Sequence, residues 1–478
     1  MIIDTPKDKK FPRTFWIRLF TIFFILLGLS FSVFIFTNLW RDSNSSDFGS
    51  NSKSLGGYYY GYQQKVYVNI PGQGYYLLPG VDSSNFQVYS SQYLTPLAKN
   101  KQSVLCGTHI IQGLQPEQIT YASQGYISDG HRTYFCSTAR KNPDYYWWHE
   151  IVRDNDYDNP DRARRRDFML SRVEHVTYGN LKTWGQNYLS DGQHLFYAGV
   201  MIPEADGSSV QSVYYGQGYL KGRIHDRYLA NSIHVYYQGR TLPDANPVTF
   251  SAFSPDGDQW QTDYGWDTKI NRYYFEAAPF PNVIDGKKTQ GLKLFVANRD
   301  RANHELFINN NGVFYWDYQG KKFEYAGPNP FGTDKSQPLS EQQAPGVWAT
   351  AKNTVVLISY KVWGKRSRGL VSQNTVLSVI PDVSLSDWQL ADTFESDGWV
   401  IGTAWRAKGN YYFSSTSGQN INMDESLYLI ADYPAFKQQL KQEKRITNEL
   451  KEHYLHSVRD MQGVNNVVHA KSSYSFWN

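Results

Sequence analysis

The sequence predicts a mainly β fold: tandem β-hairpin repeats, then a second β region and one C-terminal amphipathic helix, all preceded by a single transmembrane helix. Three observations predict it. A hairpin-sized unit occurs twice at an offset of 40 residues, aromatic residues make up 16% of the 478-residue chain, and an uncharged apolar run lies near the N-terminus. Aromatic and β-branched residues fit a pleated surface, so the repeats favour strands.

The repeated unit lies between Tyr188 and Phe250. In each copy a strand ends in two aromatic residues, and glycine and proline follow. The matching pairs are Tyr188 and Tyr228, Phe196 and Tyr236, Tyr197 and Tyr237, Gly199 and Gly239, and Pro203 and Pro243. A two-residue hairpin turn needs positive φ, which glycine adopts, so each copy is predicted to be a hairpin. After Pro243, Asn246-Pro247 predicts one short helical turn that brings Phe250 onto the unit.

This spacing resembles the bacterial DKNYY repeat family, and the copy that ends at Phe250 resembles it most. Partial copies begin at Leu78, Asn100, Tyr126, Asp267 and Lys408, and the resemblance covers about residues 76–275. The Asp-Lys-Asn run of the family is replaced by Asp191-Gly-Gln193 and by Asn231-Ser-Ile233. The resemblance implies a membrane-anchored envelope protein without an assigned chemistry.

The N-terminal part predicts a membrane anchor. Residues 1–18 are basic and polar, Leu19 to Trp40 is apolar without charge, and residues 41–57 form a polar, flexible linker. An apolar run of this length can cross a bilayer as a helix, and the excess of cations before it places the N-terminus in the cytoplasm. The chain is therefore expected in the cytoplasmic membrane as a single-pass protein, with its bulk periplasmic or extracellular. A cleaved signal peptide is the alternative.

The rest of the chain divides into five predicted segments. Residues 58–279 form the repeat domain, 280–346 an irregular connection rich in proline and glycine, and 347–432 a second β region. Its apolar runs Thr354–Tyr360, Thr375–Ile380 and Trp399–Trp405 predict strands buried on both faces. Residues 433–462 form the amphipathic helix and 463–478 a tail.

Cys106 and Cys136 are the two cysteines of the chain. In an oxidising compartment two cysteines are expected to pair, so a disulfide is predicted. The repeat frame gives the alternative. Cys106 lies six residues after Asn100 and Cys136 seven after Asp129, so in neighbouring strands of matched register they would face opposite ways as buried, separate residues.

Two groups of charged residues were weighed as sites. Asp154, Asp156 and Asp158 have the spacing of a calcium loop, but Asn159 and Arg165 stand where that loop needs glycine and glutamate, so no metal is predicted there. Ion pairing between these aspartates and the arginines that follow is favoured over a site for an anionic polymer. Those arginines are Arg162, Arg164, Arg165 and Arg166. On the C-terminal helix, Glu449, His453 and His456 are interpreted as polar side chains of the solvated helix surface. A metal ion shared by the three is the alternative.

The sequence indicates the fold more clearly than the function. The net charge of +4 argues against a nucleic-acid partner, and the chain lacks the local motifs of serine hydrolases, phosphate loops, dinucleotide sites and zinc helices. No cofactor is predicted and the catalytic residues are unknown. Three hypotheses remain: a tethered repeat protein that binds an envelope protein or an anionic polymer, a hydrolase of wall glycans or peptides, and a β-propeller-like regulator of a membrane partner.

Overall fold

A computed structural model describes residues 51–89, 96–146, 149, 159, 162–217, 220–253, 263–297, 302–340, 343–364, 369–415 and 423–474. The predicted anchor, Leu19 to Trp40, lies outside these residues. Within them, no helix combines the length and apolar character needed to span a bilayer. The chain divides into two compact units, one ending at Ser208 and the other beginning at Ser209. Both are mainly β, as predicted.

Unit 1 consists of small antiparallel sheets. The first contains β1 (Lys53–Gly56), β2 (Tyr59–Tyr62), β3 (Lys65–Ile70) and β4 (Gly74–Asp82), and the second β5 (Gln87–Val88), β6 (Leu97–Lys99), β7 (Val104–Cys106) and β8 (His109–Ile110). The third contains β9 (Tyr121–Ser123), β10 (Tyr126–Ser128), β11 (Thr133–Cys136) and β14 (Leu170–Val173). Between β11 and β14 in the chain, β12 (Arg140–Lys141) and β13 (Arg166–Asp167) form a separate two-stranded sheet. The fourth contains β15 (Lys182–Trp184), β16 (Tyr188–Ser190), β17 (His194–Tyr197) and β18 (Val200–Asp206).

Unit 2 continues the same pattern. Strands β19 (Gln211–Gln217), β20 (Ile224–Ala230), β21 (Val235–Tyr237) and β22 (Arg240–Thr241) are joined through a parallel β19–β23 pair to β23 (Phe250–Phe253), β24 (Tyr264–Asp267), β25 (Arg272–Phe275) and β26 (Ala278–Pro279). After the pair β27 (Val283–Ile284) and β28 (Lys287–Lys288) come β29 (Lys293–Val296), β30 (Leu306–Asn309), β31 (Gly312–Asp317) and β32 (Lys322–Gly327).

The repeat is therefore a four-stranded antiparallel unit, which occurs seven times among the residues that the structure describes. The second strand of each unit contains a buried tyrosine or leucine at the equivalent position: Tyr59, Leu97, Tyr126, Tyr188, Tyr228, Tyr264 or Leu306. The predicted pair around Tyr188 and Tyr228 is thus part of a longer array. Within that pair, the ring of Tyr188 lies 4.9 Å from that of Tyr197, and Tyr228 lies 4.9 Å from Tyr237.

The hairpin turns have the predicted conformation. Gln238 and Gly239 have φ of 47° and 78°, and Ala198 and Gly199 have φ of 49° and 83°. Tyr237 pairs directly with Arg240, so the loop contains two residues, as a turn with two positive φ angles requires. At the end of this copy, the N–H of Phe250 donates to the carbonyl of Asn246, which closes the single predicted helical turn.

An aspartate or asparagine closes the opposite end of the hairpin. The Oδ1 atom of Asp191 accepts from the N–H groups of Gln193 and His194 at 2.8 and 2.6 Å. Asp129 and Asn231 make the same two contacts in their own copies, and Asn100 does so in the second sheet. A short polar side chain thus satisfies backbone donors that the loop leaves without a strand partner. This is the structural reason for an acidic or amide residue at this position of the repeat.

A buried tyrosine hydroxyl ties one repeat to the next, an arrangement we call the inter-repeat tyrosine contact. The hydroxyl of Tyr126 donates to the carbonyl of Asn187 at 2.8 Å and accepts from the N–H of Gly199 at 3.0 Å. Asn187 immediately precedes the second strand of the following repeat, and Gly199 lies in the turn of that same hairpin. The tyrosine therefore reaches the closed end of the next hairpin.

The second-strand tyrosine makes equivalent contacts in other repeats. In the first repeat, the hydroxyl of Tyr59 donates to the carbonyl of Pro96 at 2.5 Å, with the carbonyl of Gly107 at 3.3 Å. In unit 2, Tyr264 reaches the carboxylate of Glu305 at 3.0 Å. Pro96 and Glu305 each precede the second strand of the next repeat. The high tyrosine content thus serves, in part, to connect repeats.

The C-terminal part of unit 2 contains two five-stranded sheets. One is β33 (Gln337–Ser340), β34 (Ala344–Ala349), β35 (Thr354–Trp363), β36 (Leu370–Ile380) and β42 (Asn465–Ser473), and the other β37 (Gln389–Ser396), β38 (Trp399–Ala407), β39 (Asn410–Ser415), β40 (Tyr428–Ile430) and β41 (Leu455–Ser457). Val356 of β35 packs in a core with Trp405 of β38, whereas Val355 and Leu357 pack with Leu306 of the last repeat. The base of β35 is thus buried on both faces, as predicted.

The predicted C-terminal helix is two helices, α1 (Tyr433–Glu443) and α2 (Asn448–Tyr454). Lys444 has φ of 52° and ends α1, while the side chain of Thr447 accepts from the N–H of Leu450 and begins α2. A left-handed residue followed by a threonine cap breaks the helical path although the apolar spacing continues. The continuous helix over 433–462 is therefore corrected: its last third contains β41 and a 3-10 turn at Val458–Asp460.

The structure also differs from the predicted segment boundaries. Residues 53–56, assigned to the linker 41–57, form β1, and Leu55 packs against the first core. The stretch 280–346, predicted to be irregular, contains the last repeat. Its breakers Gly327 and Pro328 stand at the end of β32, where Gly327 is the last residue of the strand, and its aromatic residues fill a core around Phe307 and Phe314. The division between compact units falls at Ser208, within the predicted repeat domain 58–279.

Cys106 and Cys136 form a disulfide, with Cα atoms 5.7 Å apart. The register argument against pairing assumed two neighbouring strands of one sheet. The two residues instead lie in different sheets, Cys106 in β7 and Cys136 in β11, so the count of positions along each strand does not decide which way they face. The bond joins the second and third repeats.

Candidate functional site

The outer face of the first sheet presents a group of tyrosines to solvent. Tyr60 pairs with Tyr67, and Tyr67 with Leu77, so these three side chains share one face. Tyr62 and Tyr75 lie on the same face by the same alternation, and the rings of Tyr60 and Tyr75 are 5.0 Å apart. We call Tyr60, Tyr62 and Tyr75 the tyrosine face.

The two faces of this sheet differ in burial. On the inner face Tyr59, Val66, Val68 and Tyr76 are buried in the core of unit 1. On the outer face Tyr60, Tyr62 and Tyr75 remain partly exposed, and Tyr67 between them is buried. Lys65 pairs with Tyr62 and is exposed. The face therefore combines flat apolar rings, hydroxyls and a cation.

The tyrosine face was not predicted from the sequence. The alternation that builds it is visible in Tyr58-Tyr59-Tyr60-Gly61-Tyr62, where every second residue belongs to one side of a strand. The stretch was used only to mark the start of the folded region, because no copy of the repeat had been recognised before Leu78. A period-two pattern of tyrosines beside a glycine was the available signal.

A second group surrounds the buried carboxylate of Asp263 in unit 2. Its Oδ1 accepts from Nε2 of His225 at 3.1 Å, and its Oδ2 accepts from the hydroxyl of Tyr237 at 2.6 Å and pairs with Arg227 at 2.8 Å. Burial alone would raise the pKa of Asp263, but the hydrogen bonds from His225 and Tyr237 and the charge of Arg227 hold that pKa below its usual value.

These contacts occupy the carboxylate and the imidazole. Nδ1 of His225 accepts from the N–H groups of Arg227 and Tyr228, so Nε2 carries the proton that Asp263 accepts. Both oxygens of the carboxylate accept hydrogen bonds, and both nitrogens of the imidazole are engaged. The hydroxyl of Tyr228 adds the inter-repeat contact, with the carbonyls of Asp263 and Glu276 at 3.0 and 2.7 Å. The cluster holds two repeats together.

A third group brings a histidine, a serine and an aspartate together without the order of a catalytic triad. Nε2 of His304 lies 3.0 Å from the hydroxyl of Ser472, and that hydroxyl donates to Asp317 at 2.7 Å. Nδ1 of His304 contacts the hydroxyl of Thr375 at 3.2 Å. Burial lowers the pKa of His304 to about 4, so it is neutral near pH 7. The serine gives its proton to the aspartate and not to the imidazole.

A fourth group lies where β40 and β41 meet. The carboxylate of Glu425 accepts from the hydroxyl of Ser457, and from the N–H of Val458 at 2.9 Å. Burial raises the pKa of Glu425, and burial also raises that of the neighbouring Asp424. Glu425 thereby caps the 3-10 turn that begins at Val458, which gives this acid a structural role.

The predicted charged sites are placed as follows. Among the arginines, Arg164 pairs with Asp167 at 2.6 Å, and Arg162 lies 3.8 Å above the ring of Tyr76. The three aspartates of the calcium-like spacing lie outside the described residues. The described partner of Arg164 is therefore Asp167 of β13, and pairing with the three aspartates stays a prediction. Arg162 is buried, and Arg165 and Arg166 are exposed.

The three residues considered on the C-terminal helix do not stay together on one helix. Glu449 and His453 belong to α2, whereas His456 lies in β41. In the part of the chain that the structure describes, no three histidine, cysteine or acidic side chains are grouped as a metal site would need. Nδ1 of His194 lies 3.0 Å from the carboxylate of Asp191, which fits a structural role in the hairpin loop.

The remaining repeat-defining residues have structural contacts. The side-chain amide of Asn231 donates to the hydroxyl of Tyr236 at 3.0 Å, and Tyr274 donates to the carbonyl of Pro243 at 2.9 Å. Gly199 lies against the preceding repeat, since a β-carbon there would come within 2.9 Å of the β-carbon of Phe135. These positions therefore hold the repeats together.

Comparison with known proteins identifies one family. Residues 59–228, less than half of the chain, match the model of the DKNYY family, which confirms the resemblance seen in the sequence. The match begins at the tyrosine of the first repeat and ends at that of the fifth. No curated protein and no solved structure matches the chain.

Proposed function

We propose, from the match of residues 59–228 to the model of the DKNYY family, that the chain is a membrane-tethered envelope protein that binds an anionic polymer of the envelope through its tyrosine face. The observation that carries the proposal is the partial exposure of Tyr60, Tyr62 and Tyr75 on one sheet face beside Lys65. A tyrosine ring offers an apolar plane and a hydroxyl, which suits the mixed surface of a sugar ring, and a lysine suits an acidic group on it.

The membrane tether is inferred from the sequence of the N-terminal residues. Leu19 to Trp40 is long enough to cross a bilayer, and Lys53 opens the first strand twelve positions after Arg41. A linker of this length spans at most about 40 Å when fully extended, so the first repeat stays near the membrane. A binding surface held there would meet polymers that lie against or emerge from the bilayer.

Topology is tested with reporter fusions after Gly57. An alkaline phosphatase joined there is expected to be active, because that enzyme needs the oxidising side of the membrane. A reporter that works only in the cytoplasm should be inactive at the same junction. The opposite pattern, or a mature N-terminus beyond Trp40, would contradict the anchored arrangement.

Binding is tested by sedimentation of the full chain with purified envelope polymer. Replacement of Tyr60, Tyr62 and Tyr75 by serine is expected to weaken binding at least about tenfold, since each aromatic contact contributes about 0.5–1.5 kcal/mol. The control replaces Tyr178 and Tyr214, which are exposed elsewhere, by serine. Equal binding by the tyrosine-face variant, with its melting temperature unchanged, would remove the proposal.

A second function is favoured by one observation. The four-stranded antiparallel unit is the blade of β-propellers, and it recurs in both units of this chain. A regulator that binds a membrane protein partner through such units is therefore the alternative. Co-purification of one membrane protein with the chain, lost in the same tyrosine variant and unaffected by added polymer, would favour it.

The hydrolase hypothesis has no comparable support among the described residues. Two of the buried acids, Asp263 and Glu425, are each held by hydrogen bonds from their own fold. A nucleophile or a general acid needs a free oxygen directed at substrate.

A further inference from the structure

The disulfide between Cys106 and Cys136 involves a repeat whose strands do not follow one another directly in the chain. In the fourth and fifth repeats, a two-residue turn connects the third strand to the fourth. In the third repeat, β11 ends at Cys136, and its neighbour β14 begins at Leu170, which pairs directly with Cys136. The residue opposite this cysteine therefore comes from a segment that returns to the sheet after an insertion.

Residues 162–169, which we call the strap, lead from the insertion into β14. Phe168 is buried in the same core as both cysteines, and its ring lies against Gly107, the residue after the first cysteine. A β-carbon at Gly107 would come within 2.0 Å of that ring, so a larger residue there would displace Phe168. Leu170, which follows the strap, lies beside Cys136 on the same sheet face. The strap and the start of β14 therefore pack beside both cysteines.

One buried carboxylate fastens the strap to the second repeat. Oδ1 of Asp167 accepts from the hydroxyl of Thr108 at 2.6 Å, and Nε2 of His109 lies 3.4 Å from Oδ2. Arg164 of the strap donates to the same Oδ2 at 2.6 Å. Thr108 lies in the turn between β7 and β8, and His109 begins β8. Asp167 therefore holds the strap to the hairpin that contains the first cysteine.

The other contacts of the strap lie at its beginning, against the first repeat. Arg162 packs over the ring of Tyr76 at 3.8 Å. The side chain of Gln73 accepts from the N–H of Arg165 at 2.6 Å and donates to the carbonyl of Arg166 at 3.0 Å. The pair β12 and β13 is two residues long, and three of its four residues are exposed. Such a pair opens at a lower free energy than the ladders of a complete repeat, so the strap can undock while the repeats stay folded.

We propose that the strap is a removable cover of the disulfide: dithiol reductants and thiol–disulfide oxidoreductases reach Cys106 and Cys136 only when the strap undocks, and the contacts of Asp167 set how often it does. In the undocked state a thiolate attacks one sulfur, the S–S bond breaks, and the other cysteine leaves as a thiolate. The second thiol of the reductant then displaces the first. Two electrons thus pass to the protein, and both cysteines become thiols. In folding, the bond forms by the reverse exchange before the strap docks.

The test measures how fast dithiothreitol reduces the disulfide of the folded, purified full chain, with free thiols trapped by a maleimide and counted by mass spectrometry. Asp167→Asn keeps the size of the side chain and removes its charge. It is expected to raise the rate at least about tenfold, because hydrogen bonds to charged groups are the stronger ones. Thr108→Val removes one donor to Asp167 and should raise the rate less. The double variant should show less than the product of the two effects, since both changes break one contact.

Asp191→Asn is the matched control. Asp191 is a similarly buried aspartate of unit 1, and it accepts backbone hydrogen bonds in a loop of the fourth repeat, away from the strap. Its replacement should lower the stability of unit 1 and leave the reduction rate at that of the wild type. Urea gives a second measurement. Undocking of the strap exposes little surface, so the rate in Asp167→Asn should change little with urea below the unfolding transition.

Three results would overturn the proposal. Equal rates in the wild type and Asp167→Asn would show that the strap does not govern access. Equal acceleration by Asp191→Asn, or a steep urea dependence in Asp167→Asn, would assign reduction to unfolding of the whole unit. A wild-type disulfide reduced as fast as in the urea-unfolded chain would show that it is not covered. If circular dichroism shows that Asp167→Asn does not fold, Phe168→Leu takes its place, because it thins the cover and keeps the polar contacts, and the same rise in rate is expected.

Discussion

Two inter-repeat tyrosine contacts occupy the same position of the repeat and differ in their partners. In unit 1, the hydroxyl of Tyr126 donates to one backbone carbonyl and accepts from one backbone N–H, so its donor and acceptor are both used. In unit 2, the hydroxyl of Tyr228 lies between two carbonyls and has one proton to give. Its surroundings are also charged, because Asp263 is nearby. The position in the repeat places the tyrosine hydroxyl against the next hairpin. The backbone groups of that hairpin determine whether the hydroxyl uses both its donor and its acceptor.

The comparison extends to the glycines of the two turns. Gly199 and Gly239 both have positive φ, yet a β-carbon at Gly199 would come within 2.8 Å of Oγ of Ser171 as well as within 2.9 Å of Phe135. Gly199→Val is expected to lower the free energy of unfolding by about 4 kcal/mol, from backbone strain and overpacking together. Gly239→Val should cost about 2 kcal/mol from strain. Urea unfolding of the two variants measures the difference.

Equal losses for the two glycine variants would show that the contact with Phe135 yields without cost. An unchanged stability for Gly239→Val would be the more serious result, since the hairpin interpretation depends on a residue that tolerates positive φ there.

Covalent linkage distinguishes the units next. The disulfide closes a loop of 30 residues within unit 1, and the described part of unit 2 contains no cysteine. Replacement of both cysteines by serine is expected to destabilise unit 1 by about 3 kcal/mol, chiefly through the entropy of the unfolded chain. Hydrogen exchange resolved by segment should show faster opening in residues 97–136 and unchanged protection in β35 and β36. Faster exchange in both units would contradict this assignment.

Acid should affect unit 2 through His304. Its folded pKa of about 4 lies below the ordinary value of 6.5, so between these values the unfolded chain binds a proton that the folded chain does not. This contribution is fully present above pH 6.5 and is lost as the pH falls towards 4, by about 3 kcal/mol in total. His304→Gln should flatten the fall in urea midpoint across that range, and His194→Gln in unit 1 serves as the control.

Glu425 acts in the opposite direction. Burial raises its pKa, so the folded chain takes up this proton first and gains stability as the pH falls. This contribution of Glu425 to the pH dependence of stability is the same in the wild type and in His304→Gln. It therefore cancels when the two proteins are compared. A pH slope that is the same for both proteins would show that His304 is not the group responsible.

The smallest expected effect tests the tyrosine contacts directly. Tyr126→Phe leaves the buried N–H of Gly199 without its acceptor and removes one of the two donors to the carbonyl of Asn187, which keeps the N–H of Ala198; about 2 kcal/mol is expected. Tyr228→Phe removes a hydroxyl that satisfies one of two carbonyls at a time, and about 1 kcal/mol is expected. Thermal unfolding of the paired variants checks the order, and a larger loss for Tyr228→Phe would reverse the comparison.

Local chemistry made part of this fold predictable. Positive φ at Gly239 and the one-turn segment before Phe250 follow from neighbouring residues, so the sequence was sufficient for them. The number of repeats was not predictable in the same way. Leu97 and Leu306 replace the tyrosine of the second strand, and the spacing between copies varies. The unit around Leu97 was therefore predicted only as the partial copy at Asn100, and the unit around Leu306 was predicted as an irregular connection.

The candidate sites depend on contacts that are distant in sequence. Asp263 receives hydrogen bonds from residues 26 and 38 positions away, and His304 contacts Ser472 at a separation of 168. No local motif encodes such groupings, and the structure shows that each serves the fold. The tyrosine face differs from these groups, because the alternating tyrosines that form part of it are close together in the sequence and could have been recognised there. It was overlooked because it precedes the copies that defined the repeat.

The inter-repeat tyrosine contact has a consequence for how such chains change in evolution. It joins one side chain to the closed end of the following hairpin, and it places no demand on the length of the segment between them. Tyr126 reaches Asn187 across an intervening segment that contains the pair β12 and β13. New sequence can therefore enter between two copies, and copies can be gained or lost, without the loss of the contact that holds neighbours together.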